Sequence, residues 1–185
     1  LGLDTLYQAP HHAVIFADDY RRNIESVERL ERLPDDFSLY VRNASLTDPT
    51  LAPEGHSAVY VLVPTANNRA DVDWDSEKAR LRRRTLELIK ARTSMTDIED
   101  HIREERIITP HDWDQEWGIY AGATFNLAHN LSQMLYFRPH NRFEDVDNCY
   151  LVGGGTHPGS GLPTIYESGR ITANLLSEAY GAPAE

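Results

Sequence analysis

The residues best suited to chemistry lie near the end of the chain, in the run Tyr150-Leu151-Val152-Gly153-Gly154-Gly155-Thr156-His157-Pro158-Gly159-Ser160-Gly161-Leu162-Pro163. Tyr150–Val152 reads as a strand. The glycines after it remove Cβ atoms, so the backbone can turn sharply and approach a ligand. Pro163 falls in the first turn of the helix that follows. Strand, glycine loop and helix together present backbone N–H groups and the positive end of a helix to an electron-rich group. On that helix Leu162, Ile165, Tyr166, Gly169, Ala173 and Leu176 form one stripe, and the small Gly169 and Ala173 permit close packing on a sheet. The loop is not a full dinucleotide fingerprint. Gly153-x-Gly155 is present, but Pro158 takes the third glycine position and no acidic residue follows on a second strand. Read alone, the loop leaves two accounts open: a ligand cradle, or a tight strand-to-helix turn.

Other candidates are weaker. His111–Glu116 offers imidazole and carboxylates, but the spacing suits a capped, solvated short helix better than a metal shell, and no metal site is expected. Lys78–Arg84 is a basic run that suits either lipid headgroups or, more simply, a solvated face balanced by Asp75, Glu77 and Glu87. His11 and His12 stand at a strand start, where only one can face a core. Tyr120, Phe125, Leu135, Tyr136 and Phe137 fit either an apolar tunnel for a substrate or ordinary core. Cys149, the single cysteine, reads as packing and excludes an internal disulfide. No residue is singled out as catalytic.

The elements that must position these groups follow from periodicity. His11–Ala17 alternates as a strand, with Val14 and Phe16 on the face of His12. Asp18–Leu33 is a helix capped by Asp18 or Asp19, with Tyr20, Ile24, Val27 and Leu30 in one stripe. Phe37–Ala44 is a second strand, Thr47–His56 a loop, and Ser57–Thr65 a third strand, rich enough in Val to be buried on both faces. A helix follows with Asp73 or Asp75 near its start. Ile102–Pro110 is then a strand ended by proline. Strand, helix, strand, strand, helix, strand is the split βαβ order, an α+β fold whose antiparallel sheet carries both helices on one face. From about Thr109 the texture becomes irregular up to the final strand, loop and helix. The expected division is 1–110, an irregular site-forming segment 111–147, and 148–185.

Composition narrows the function. The net charge of −11 argues against a nucleic-acid partner, which needs a basic footprint. No apolar run approaches the about 20 residues of a membrane span. The chain opens on Leu1-Gly2-Leu3 rather than Met, which reads as a processed or excised piece.

The closing segment resembles a known family. Asn148, Tyr150, Gly153–Gly155, Thr156-His157-Pro158-Gly159, Gly161 and the small Ser168 are similar to the C-terminal motif of carotenoid desaturases of the bacterial and fungal phytoene desaturase type, flavoproteins of the amine-oxidase-like superfamily. The likeness extends to Phe137–Arg142, Thr47–Pro64 and His11–Phe16, and so over essentially the whole chain. The resemblance implies that 1–110 is part of a substrate-binding domain. It also implies that 148–185 completes a Rossmann-like FAD domain whose remainder is absent, so that the chain matches only the C-terminal two-fifths of such a protein and is inactive alone. FAD is the implied cofactor, with Gly153, Gly154, Gly155, Thr156, His157, Pro158, Gly161, Leu162 and Pro163 beside it. His157 would then either respond to pH at an anionic flavin edge or order the loop through a backbone bond. Arg138 and Arg142 would either pair locally or reach toward FAD phosphates. The implied partner is a carotenoid polyene hydrocarbon, the implied location of the full-length protein is cytoplasmic and peripheral to the membrane, and exposed apolar faces are expected to drive self-association of the fragment. The alternatives are a related polyene isomerase, oxygenase or saturase, and a non-catalytic binding or assembly module.

Overall fold

The computed structural model describes residues 1–181. They fall into two units, Leu1–Gly122 and a second that starts at Ala123. The first unit holds strands β1 (Gly2–Leu3), β2 (His12–Ile15), β3 (Leu39–Asn43), β4 (Ser57–Leu62) and β5 (Ile102–Glu104). Its helices are α1 (Tyr20–Glu28), α2 (Trp74–Arg92) and α3 (Pro110–Trp117). The sheet order is β2-β3-β4-β1-β5, with every neighbouring pair antiparallel.

The antiparallel sheet is as expected; the split βαβ path through it is not. That path would make the strands on either side of a helix parallel and separated by another strand. Here β2 and β3 are antiparallel neighbours although α1 lies between them in sequence. The cause is polar. Asn23 of α1 accepts the Ser38 N–H at 3.0 Å, and the Ser38 hydroxyl accepts the Ala17 N–H at 3.0 Å. The chain therefore leaves α1 where it entered, and the whole connection behaves as a wide hairpin loop. The same bonds explain why α1 is shorter than predicted and buries Asn23 and Ser26, while Tyr20 and Ile24 of the apolar stripe stay exposed. β1 is too short to show a period, and it is the strand that joins the two halves of the sheet. β5 stops at Glu104, well before Pro110, because its two-residue neighbour offers no further partner.

Alternation sorts the sheet's two faces. Ile15, Leu39, Val41 and Val59 point into a core completed by Leu3, Phe37, Met95 and Ile98, with Leu86 and Ile89 of α2 packed over it and Val27 of α1 at its edge. The other face shows two cross-strand rows, His12–Arg42–Tyr60 and Val14–Tyr40–Leu62. Val14 is 58% exposed and Tyr60 54%. β4 is therefore buried on one face rather than two, because no layer within the first unit covers the other.

Ion pairs fasten α2. Its basic residues are all engaged: Lys78 with Asp112, Arg82 with Glu105, Arg83 and Arg84 with Glu87, Arg80 with Glu77 and Asp35, Lys90 with Glu99, and Arg92 with Asp18 and Asp36. Glu77 is only 4% exposed and also meets Arg32 at 2.8 Å. Burial alone would raise the Glu77 carboxyl, but the hydrogen bonds from Arg80 and Arg32 outweigh it and hold it below the usual carboxylate range. α3 begins under a capping box of Thr109 and Asp112, and Asn68 donates to the Pro110 carbonyl at 3.1 Å. These ties keep α3 in the first unit, so the observed division falls at Gly122 rather than at 110.

The second unit has one long helix, α4 (Leu162–Tyr180), short 3-10 turns at Leu131–Gln133 and Leu135–Phe137, and one isolated antiparallel bridge between Arg142 and Tyr150. Tyr150–Val152 forms no strand: the bridge, closed by the Leu151 N–H on the Asn141 carbonyl at 2.8 Å and the Phe143 N–H on the Cys149 carbonyl at 2.9 Å, does not extend to Val152.

Two outcomes follow for the first unit. Glu77→Gln removes the buried carboxylate that Arg80 and Arg32 share, leaving Arg80 the exposed Asp35 alone, and is expected to cost about 2 kcal/mol, read from the shift in the urea midpoint. His101 bridges Asp4 at 2.7 Å and Asp97 at 3.4 Å, joining the end of β1 to the start of β5. The Asp4 bond raises the His101 pKa above 6.5, against partial desolvation. Its stabilisation is therefore complete below pH 6.5 and lost as pH rises past the raised value. The melting-temperature difference between the wild type and His101→Asn is expected to shrink as pH rises through that window; a difference constant with pH would refute the bridge's charge.

Candidate functional site

The glycine loop is built over a polar interior. Ser168 of α4 has no exposed surface. Its hydroxyl accepts the Gly153 N–H at 3.2 Å, meets the Thr156 hydroxyl at 2.8 Å and accepts from the Asn141 amide at 2.9 Å. Asn141 also donates to the Leu151 carbonyl at 3.3 Å and the Thr172 hydroxyl at 3.2 Å. Thr172 in turn donates to the Leu151 carbonyl at 2.8 Å. Five side chains of this unit are buried and polar: Arg138, Asn141, Thr156, Ser168 and Thr172. The loop is thus pinned to α4 by hydrogen bonds, and a residue larger than Ser168 has no room.

The predicted loop residues separate into inward and outward groups. Thr156 is inward; its N–H and hydroxyl both donate to the Gly153 carbonyl, at 3.2 and 3.0 Å. His157 is tied to the segment before it. Its N–H donates to the Pro139 carbonyl at 2.8 Å, and its Nδ1 lies 2.9 Å from the Leu135 carbonyl, which requires the proton on that nitrogen. Of the two readings for His157, this geometry is the loop-ordering one. The His157–Pro158 peptide is cis. Gly153 adopts φ 120°, a conformation L side chains rarely reach, with open space where a Cβ would stand. The Gly154 and Gly155 N–H groups meet no acceptor among the described residues.

α4 is set up differently from the other helices. α1, α2 and α3 begin under Asp19, Asp73 and Thr109 side chains that accept first-turn N–H groups. α4 begins at Gly161, with Leu162 and Pro163 in its first turn and no side-chain cap. Arg138 lies under the loop, 2% exposed, with its guanidinium on backbone carbonyls and in no ion pair among the described residues. Uncapped helix N-terminus, free glycine N–H groups and a buried cation sum to a positive potential at the loop. The arrangement suits an anionic group.

No protein-family model matches the chain. Individual proteins do. A 4,4'-diapophytoene desaturase (4,4'-diapolycopene-forming) of Methylomonas is 55% identical over 97% of this chain and 35% of its own length. An all-trans-zeta-carotene desaturase of Myxococcus xanthus is 41% identical over 97% of the chain and 34% of its own. A lycopene-forming phytoene desaturase of Pseudescherichia vulneris is 39% identical over 92% and 35%. The chain is homologous to part of the carotenoid desaturases. It spans about a third of the length of the curated relatives it matches.

In this desaturase homologue the predicted substrate residues are not core. Phe125, Leu135, Tyr136 and Phe137 of the second unit are mostly exposed, because that unit's interior is filled by the Ser168 network and leaves apolar side chains outside. Tyr120 belongs to the first unit, exposed, with Arg69 donating to its hydroxyl at 3.3 Å. A cavity of about 190 Å³ in the first unit, lined among others by Ala13, Val41 and Met95, includes none of them. Sequence reasoning left Arg138 undecided and passed over Asn141 and Thr172. The available signal was that Arg138, Asn141 and Arg142 crowd together in a stretch with no helical or strand period.

Ser168→Ala is expected to leave the Gly153 N–H, the Thr156 hydroxyl and the Asn141 amide short of a partner, at about 2 kcal/mol. Hydrogen exchange at Gly153 is expected to accelerate at least tenfold while the β3 and β4 amides keep their rates.

Proposed function

We propose that this chain is the C-terminal portion of an FAD-dependent carotenoid desaturase that removes hydrogen across C–C single bonds of phytoene-like polyenes. The observation that carries the reading is the 55% identity over 97% of the chain to a diapophytoene desaturase. The donor set supports the cofactor part: FAD when bound supplies the hydride acceptor, and its reduced form is an anion of the kind the loop favours. Gly154, Gly155 and, at the uncapped start of α4, Gly161 and Leu162 offer N–H groups to it, while Pro163 fixes the first turn without a donor of its own. Thr156 and His157 shape the loop: the Thr156 hydroxyl is held by Gly153 and Ser168, and the His157 N–H and Nδ1 by the Pro139 and Leu135 carbonyls. Within Tyr150–Val152 the Leu151 backbone is held by Asn141 and Thr172, while the backbone groups of Tyr150 and Val152 meet no partner among the described residues, which agrees with a sheet supplied by the rest of the protein.

A polyene has no charge to clamp, so its binding rests on apolar burial at about 25 cal/mol per Å². Phe125, Leu135, Tyr136 and Phe137 provide apolar surface of that type. The same surface supports peripheral membrane contact and self-association of the fragment, in a cytoplasmic protein. No helix among the described residues is long and apolar enough to cross a membrane.

The test uses the full-length protein that carries this chain. Its visible spectrum is expected to show bound FAD, which bleaches as coloured polyene appears when phytoene in liposomes is added anaerobically. Bound flavin inert to phytoene would redirect the reading to a polyene isomerase, oxygenase or saturase. Folded protein that takes no flavin from excess FAD would end the enzyme reading and leave a binding or assembly module.

A further inference from the structure

Arg138 is an unusual thing to bury. Its guanidinium is always charged, and a buried charge is stable only when paired or fully hydrogen-bonded. At 2% exposure it has no carboxylate partner among the described residues. It instead donates from Nε to the Gly154 carbonyl at 3.0 Å, from Nη1 to the Gln133 carbonyl at 2.7 Å and from Nη2 toward the Leu127 carbonyl at 3.4 Å. Carbonyl dipoles solvate the cation without neutralising it, so a full positive charge remains beneath the loop.

The contact with Gly154 has a geometric consequence. A trans peptide points its C=O and N–H in opposite directions. The bond from Gly154 to Gly155 is trans, since the only cis peptide among the described residues is His157–Pro158. With the Gly154 oxygen drawn inward onto Arg138, the Gly155 N–H must point outward. The preceding peptide behaves alike: the Gly153 oxygen is held by the Thr156 N–H and hydroxyl, which turns the Gly154 N–H away. Two successive N–H groups are thereby aimed out of the loop, one of them by Arg138.

We propose that Arg138 is a positioning residue: it sets the orientation of the Gly154–Gly155 peptide, and its unneutralised charge makes the loop favour the reduced, anionic form of the flavin over the oxidised form. The inference rests on the flavin reading above. It assigns to one side chain both the aim of a donor and the sign of the local field.

Two readouts test it. The first needs no cofactor. The amide resonance of Gly155 reports the hydrogen bond at the carbonyl of its own peptide. In the 185-residue chain it is expected to be unprotected from exchange and to shift in Arg138→Lys and Arg138→Met, with the β3 and β4 resonances unmoved. A protected Gly155 amide, or one that does not shift, overturns the orientation half.

The second readout is the flavin midpoint potential of the full-length protein. Arg138→Met keeps the length and removes the charge. It is expected to lose about tenfold in preference for reduced flavin, a fall of about 30 mV for a two-electron couple. Arg138→Lys keeps the charge and is expected to stay near the wild type. A plain structural clamp predicts instead that both variants weaken flavin binding with the potential unchanged, and that result overturns the inference while the flavin reading stands. If the Met variant does not fold, Arg138→Gln, which keeps a donor and removes the charge, decides: a potential that falls about 30 mV below the wild type supports the proposal, and an unchanged potential overturns it. Folded wild-type protein without flavin would overturn the flavin reading and the charge half together.

Discussion

The second unit depends on one hydroxyl. Ser168 is where the glycine loop, α4 and the segment carrying Asn141 meet, and its hydroxyl bonds to the loop and to Asn141 at once. Satisfied buried networks fix a unique geometry, because every member that loses a partner pays the full desolvation cost. That is a suitable foundation for a loop whose function requires its N–H groups to stay aimed. The loop's orientation is not carried by the glycines, which are merely permissive. It is carried by the polar side chains that hold the carbonyls on the other side.

The first unit is stabilised differently. Leu39, Val41, Val59 and Ile89 make an ordinary apolar interior, and α2 is fastened over it by Glu77 and Arg80. One chain therefore carries two kinds of interior, one held by removal of apolar area from water and one by mutual hydrogen bonding. The open sheet face with His12, Tyr40 and Tyr60 and the exposed aromatics near Phe137 show that neither interior consumes all of the chain's apolar surface.

Much of the local structure was legible because it depends on neighbours in sequence. Asp73 before Trp74–Arg92 announces its helix by cap chemistry, and the alternation from Leu39 to Asn43 states which side chains go inward. The path through the sheet was not legible. It turns on Asn23 reaching Ser38 and Ser38 reaching Ala17, long-range bonds between polar residues that carry no periodic signal. β1 escaped for a related reason: two residues have no period, yet they sit between β4 and β5. At the site, the glycines were visible as types, but the inward place of Thr156, the tie of His157 to the Leu135 and Pro139 carbonyls and the burial of Arg138 follow only from which carbonyls stand nearby.

A polar interior has a thermal signature of its own. Exposing apolar surface raises the heat capacity on unfolding and exposing polar surface lowers it. The network of Asn141, Thr156, Ser168 and Thr172 therefore gives the second unit a smaller heat-capacity increment per residue than the first. Its stability curve is correspondingly flatter, with less curvature toward the cold. The two units of one chain thus keep different temperature schedules, and the glycine loop belongs to the one whose stability changes least as the surroundings cool.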